Sequence, residues 1–338
     1  MHALAATAIG CFVVALVVCE VVRRVALQRA LVDEVNHRSL HTTPTPRLGG
    51  LGIVMATLFG AFIAVPFTPA TKAVVGLCTA LACVGLRDDL KPLPASLRFV
   101  FQGALASAFL GWIGAPRFLL AHGVVLPLPS IVTFPLLVVW VVGVLNIYNF
   151  MDGMDGLAGS QTLGAAAVTV LLLPNRDCSS LLVMLAASSL GFLAHNAPPA
   201  RMFMGDAGAY FVGMVFATVA IAGMHQGVPL ALSALPLAPF LLDGTFTILR
   251  RLRRGEKIWQ AHRSHLYQRA VQTGLEHRDV LLVYLAWIGA CALAAIGAAH
   301  DNVGLFAGWT VALLGLVLVW RWVVRRENRL TPPAQTAS

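Results

Sequence analysis

The feature that most constrains this chain is a succession of eleven apolar runs. They lie at about 3–22, 49–67, 72–86, 98–115, 131–148, 158–174, 181–195, 207–225, 229–247, 279–298 and 303–323, each closed by polar, Gly or Pro residues. A helix across a bilayer core takes ~20 residues, so eleven spans use about 220 of the 338. The remainder suffices for short loops and leaves no room for a second domain. Only 12% of the residues are charged, about half the share of a soluble domain. The pattern therefore predicts an all-α integral membrane protein with about 11 transmembrane helices. It forms a single polytopic domain over 1–338, with 331–338 as a disordered tail. Runs shorter than 20 residues imply tilted or broken helices. The first run has the length of a signal peptide but lacks a basic start and leads directly into Arg23 and Arg24, which predicts a retained span. Cys11, Cys19, Cys78, Cys83 and Cys291 fall in apolar runs and are expected to be buried, whereas Cys178 lies in a polar connection.

When successive loops are assigned to alternate sides, only Lys72, Arg117 and Arg176 of the 24 lysines and arginines fall on one side. The positive-inside bias makes the rich side cytoplasmic, with the N-terminus periplasmic and the C-terminus cytoplasmic. The net charge of +9 is then a matter of topology, and no nucleic acid partner is needed to explain it. Nearly every carboxylate, Asn and His outside the termini lies on this same side. A transporter usually places ionisable groups at mid-membrane depth. The one-sided gathering instead suits a site that draws one reactant from the cytoplasm and another from the lipid.

Four stretches carry that chemistry. N-I-Y-N-F-M-D-G-M-D-G places Asn146, Asn149, Asp152 and Asp155 three residues apart at the end of the fifth run. Neighbouring helical positions at that spacing direct two carboxylates and two amides at one volume, a hard-oxygen set that suits Mg²⁺. G-L-R-D-D-L ends the third run with Asp88 and Asp89, and Arg98 returns a positive charge nine residues later. Adjacent carboxylates repel unless they serve as base, ligand or positioner of a phosphate-bound cation. N-A-P-P-A-R-M-F-M-G-D-A-G holds Asn196, Phe203 and Asp206, where helix capping is the alternative role for Asp206. A-H-R-S-H-L-Y-Q-R carries His262, Arg263 and His265, a set suited to phosphate oxygens.

Together with H-x-x-P-T-P-R-L-G-G at His41–Gly50, these strings occur in the order found in the polyprenyl-phosphate N-acetylhexosamine-1-phosphate transferase family, which the chain resembles over roughly 37–270. The H-R-S-H form resembles the WbpL-type branch most. The resemblance implies a helical bundle of the bacterial inner membrane with its active site on the cytoplasmic face. It implies a Mg-dependent enzyme, with Mn²⁺ able to substitute, that transfers an N-acetylaminosugar 1-phosphate from a UDP-sugar to undecaprenyl phosphate, releases UMP and initiates O-antigen or another envelope glycan. It also allows a homodimer. By motif position, Asn149 and Asp206 are the metal ligands it implies, and Asp88 and Asp89 the catalytic acidic pair, for acceptor activation or phosphate positioning. Arg98 stands where relatives carry a Lys and is left with charge stabilisation, since Arg does not exchange its proton. Asp152, Asp155, Asn196 and Phe203 are assigned to the nucleotide, and His262, Arg263 and His265 to the diphosphate.

Overall fold

The computed structural model describes residues 2–33, 44–66, 68–116, 118–174, 176–257 and 262–330. His41 and the tail 331–338 lie outside the described residues. Every apolar run coincides with a helix: α1 (His2–Gln28), α2 (Gly50–Ala64), α3 (Pro69–Leu90), α4 (Ala95–Ile113), α5 (Ser130–Met151), α6 (Leu157–Leu172), α7 (Arg176–Asn196) and α8 (Gly205–His225). Then follow α9 (Leu230–Ala234), α10 (Ala238–Arg253), the short α11 (Leu266–Gln272), α12 (His277–Gly297) and α13 (Asn302–Leu330). The ninth run is broken, because a 3₁₀ turn at Leu235–Leu237 separates α9 from α10. Pro236 and Pro239 each remove a helical N–H there, and Gln161 Nε2 donates to the Pro236 carbonyl at 2.8 Å.

Among the described residues, eight helical segments are long and apolar enough to cross a membrane. Helices α2 and α6 are apolar but shorter, and α3 carries Lys72, Arg87, Asp88 and Asp89. The all-α expectation needs one amendment. Among the described residues, two short antiparallel pairings occur, β1 (Val32–Asp33) with β2 (Thr45–Pro46), and β3 (Phe118–Ala121) with β4 (Val124–Leu126). The cysteine expectation needs another. Cys178 falls inside the first turns of α7 and is 2% exposed, whereas Cys83 is exposed.

Helix α8 forms the axis of the bundle, with every residue from Ala207 to Met224 buried. A helix apolar on all sides has no face to give to a polar medium, and its many Gly and Ala residues let neighbouring backbones approach closely. A Cβ added at Gly50 of α2 would lie 2.3 Å from Gly208 Cα of α8. The outermost helices show the opposite pattern. Ile9, Val13 and Val17 of α1 and Phe306, Leu314 and Leu318 of α13 are exposed, an arrangement that lipid tolerates and water does not.

The helix ends sort into two faces. At one, His122 of the β3–β4 hairpin meets Asn302 of α13 (N to Oδ1, 2.8 Å) and His225 of α8 meets the Gly114 carbonyl beyond α4 (3.1 Å). The other face gathers the ends of α3, α5 and α7 and the starts of α4, α8 and α12, where the motif residues lie.

Candidate active site

The site is built around the start of α8. The first N–H groups of a helix have no partner inside it, and Met204, which precedes α8, makes no side-chain cap. Three of those groups are capped by carboxylates at the ends of α3 and α5. Asp89, in the last turn of α3, accepts from Asp206 N (2.9 Å) with one oxygen and from Ala207 N (3.0 Å) with the other. Asp152, just past α5, accepts from Gly205 N at 3.2 Å. Gly205 adopts φ +76, and a Cβ there would stand 2.9 Å from Asp89 Oδ1, so glycine is required for both the turn and the approach. Asp206 is therefore not its own helix's cap. Its half-buried carboxylate accepts instead from Asn149 Nδ2 at 2.6 Å.

Asp88, buried beside Asp89, accepts from Leu93 N (2.6 Å) and from Arg98 Nη1 (3.2 Å). Arg98 also acts electrostatically on Tyr210. Six of the expected residues, Asp88, Asp89, Arg98, Asn149, Asp152 and Asp206, thus lie together in one cluster. Burial, and then the charges of Asp206 and Asp89, push the Asp152 carboxyl well above the usual carboxylate range.

The expectation that Asn146, Asn149, Asp152 and Asp155 share one face is corrected. Helix α5 ends at Met151, and Gly156 is left-handed at φ +74, so helical spacing stops applying beyond 151. Asn146 turns to Gln102 (2.7 Å) and the Val142 carbonyl. Asp155 accepts from Ala200 N (2.9 Å) and pairs with His277 Nδ1 (3.0 Å). Burial alone would raise the Asp155 carboxyl, but these two contacts outweigh it and hold its pKa below the ordinary value. Asn196 joins the same pair of loops, accepting from Gly156 N and donating to the Met202 carbonyl, both at 3.0 Å. Phe203 is half-buried, and its backbone is pinned by the Pro46 carbonyl and Gly49 N. Asp155 and Asn196 therefore tie the loop after α5 to the loop after α7, which runs through Phe203 into Gly205.

The H-R-S-H loop packs against the end of α5 through Phe150, whose ring lies 6.2 Å from His262 and 6.1 Å from His265. Its three residues divide. Arg263 is exposed, and His262 is half-buried with Nδ1 3.0 Å from Ser264 Oγ. Burial, with the charges of His265, Arg251 and Arg250, lowers the His262 pKa to about 4, so the ring is neutral at pH 7. His265 does not reach the open face. It is 1% exposed, caps α11 and faces the buried Asp243 at 3.6 Å.

Among the described residues no three His, Cys, Asp or Glu side chains close into a metal cage. The donor chemistry nonetheless fits magnesium. Asn149 and Asp206 offer one amide and one carboxylate in a cluster richer in carboxylates than in cations, and Mg²⁺ binds through one or two carboxylates with water and phosphate completing its shell. Sequence reasoning missed Arg47, which acts electrostatically on Asp89, as well as Tyr210 and His277. Arg47 lies within the quoted P-T-P-R-L-G-G string and was identifiable there. Tyr210 and His277 sit in no motif and are found only by the folding of α8 and α12.

Comparison with known proteins gives a consistent set of similarities. The profile described as glycosyl transferase family 4 matches residues 71–224. A probable undecaprenyl-phosphate N-acetylglucosaminyl 1-phosphate transferase of Bacillus subtilis is 29% identical, over 80% of this chain and 78% of the relative. A decaprenyl-phosphate N-acetylglucosaminephosphotransferase of Mycobacterium leprae is 30% identical, over 86% of this chain and 83% of the relative. The undecaprenyl-phosphate alpha-N-acetylglucosaminyl 1-phosphate transferase of Yersinia pestis is 25% identical, over 92% and 88%.

Proposed function

The chain belongs to glycosyl transferase family 4, with the polyprenyl-phosphate N-acetylhexosamine-1-phosphate transferases, and on that premise we propose that it transfers an N-acetylaminosugar 1-phosphate from a UDP-sugar to undecaprenyl phosphate, releasing UMP, at the start of an envelope glycan such as O-antigen. We place it in the bacterial inner membrane with eleven spans, its N-terminus periplasmic, its C-terminus and the acidic cluster cytoplasmic. The observation that carries the reading is Asp206. With Asp89 and Asp152 capping the start of α8, its carboxylate is left to accept from Asn149, at the end of the bundle where the polar motif residues gather.

In the reaction an acceptor phosphate oxygen bonds to the β-phosphorus as the bridge to the α-phosphate breaks and UMP leaves. The second pKa of a phosphate monoester is about 6, so the acceptor is mostly ionised at pH 7 and needs no strong base. Asp88, ion-paired to Arg98, orients that guanidinium towards the incoming charge. Asp89 fixes the start of α8 and thereby Asp206. Asn149 and Asp206 would hold a magnesium ion, which when bound supplies charge neutralisation on the diphosphate. Positioning and electrostatics are the main contributions to such a step. Arg263 and neutral His262 donate to diphosphate oxygens, and Phe203 offers its ring to uracil. The acceptor's prenyl chain has a route from the lipid. An apolar groove of about 380 Å³ between α4, α5 and α10 runs past exposed Phe99 and Val139 to Asn146 and Phe150. Incubating membranes with a panel of UDP-N-acetylaminosugars and undecaprenyl phosphate, then weighing the lipid product by mass spectrometry, tests the proposal. A diphosphate-linked aminosugar lipid is expected, and its absence with every donor would overturn the reading.

A further inference from the structure

Helix α13 carries an arrangement that the transfer reaction does not use. Its 29 residues span about 44 Å at 1.5 Å per residue, against a hydrocarbon core of about 30 Å. Asn302, its first residue, is tied to the hairpin at the far face, so its last turns pass beyond the core on the side of the acidic cluster. Those turns hold Arg321, Arg325, Arg326 and Arg329. Arg321, Arg325 and Arg329 recur every four residues, which stacks them on one side of the helix, where like charges repel. The helix has one carboxylate to offset them, Glu327, and it is engaged with Arg269 of α11 at 2.5 Å. Among the described residues, none of the exposed Arg321, Arg325 and Arg329 pairs with a carboxylate.

The four arginines, with Leu318 and Trp322, line an open cleft of about 410 Å³. The Arg326 guanidinium lies 5.8 Å from the Trp322 ring centroid, a cation–π distance that holds the indole in the wall. Topological anchoring accounts for positive residues at this level. It does not account for a guanidinium-lined concavity whose lower wall is apolar and exposed to lipid at Leu318. We propose that this cleft binds the headgroup of an anionic glycerophospholipid, its phosphate between Arg321, Arg325 and Arg329, and its glycerol and upper acyl carbons on Leu318 and Trp322. A free anion would make no use of those two apolar residues, whereas a lipid presents charge and hydrocarbon in this order along the membrane normal. The site is independent of the proposed reaction.

The test uses the purified full chain in phosphatidylcholine nanodiscs with increasing phosphatidylglycerol, reading retained phosphatidylglycerol by native mass spectrometry. The wild type should retain it, and Arg325→Gln/Arg329→Gln should weaken retention at least about tenfold. Arg325→Lys/Arg329→Lys should keep most of it. Arg253→Gln/Arg254→Gln, which removes two exposed arginines at the end of α10, should leave it unchanged. Equal retention in the wild type and Arg325→Gln/Arg329→Gln would overturn the proposal. So would full displacement of the lipid by millimolar inorganic phosphate, which would make the cleft an anion site.

Discussion

At the scale of single residues, the division of labour among the carboxylates is the sharpest claim. Both oxygens of Asp89 are bonded to the backbone of α8, so Asp89→Ala leaves two N–H groups without their acceptor. Loss of a helix cap costs about 0.5–2 kcal/mol, and thermal unfolding in detergent should show that loss. Asp206→Ala removes a carboxylate from a crowded acidic cluster, and it should unfold no earlier than the wild type. Phe203→Ala tests nucleotide stacking. Base–aromatic stacking is worth about 1–3 kcal/mol, and a contact kept through the transition state should raise KM for the UDP-sugar roughly ten- to hundredfold with little change in kcat. An unchanged KM in a folded protein would return Phe203 to a packing role. Asp155 gives a prediction in pH. Its pKa is lower folded than unfolded, so its contribution is complete above the ordinary carboxylate range and disappears as pH falls through the folded value. The stability gap between wild type and Asp155→Asn should therefore be full at pH 7 and close on acidification. Most of these residues were legible because they lie in dense polar strings inside an apolar chain. Their individual tasks were not, since whether Asp89 caps or reacts depends on which backbone meets it, and that backbone belongs to a helix more than a hundred residues away.

At the scale of elements, the central position of α8 rests on close backbone approach. Gly50→Ala would place a methyl 2.3 Å from Gly208 Cα, and overpacking of this kind typically costs about 1–3 kcal/mol. Gly76 of α3 has open space around its Cβ position, and Gly76→Ala should be neutral or stabilise by about 0.4–1 kcal/mol. Unfolding midpoints of the two variants side by side distinguish tight packing from a general intolerance of alanine. The eleven apolar runs located their helices well, since hydropathy reads the surrounding medium directly. Three features escaped it for physical reasons. The break at Leu235–Leu237 is stabilised by a hydrogen bond from distant Gln161, α11 is too short and too polar to register, and the turn of Asp155 away from Asn149 follows from where α5 ends. Cys83 and Cys178 exchanged their expected environments because a lipid-facing helix surface is apolar yet exposed.

At the scale of the whole molecule, segregation of polar groups to one face was the most informative reading of the sequence. The structure gathers six of the expected residues into one cluster there, beside a groove open to lipid. Under the proposed reaction, that arrangement would join a water-soluble donor to a membrane-bound acceptor without moving either across the bilayer. The most direct test is UMP release by the purified protein from UDP-N-acetylaminosugars, with and without undecaprenyl phosphate, in the wild type and in Asp206→Ala. Release that requires the acceptor is expected in the wild type, and none from an Asp206→Ala protein that is folded by its unfolding midpoint. Wild-type turnover in Asp206→Ala, or no acceptor-dependent UMP with any donor, would contradict the proposal.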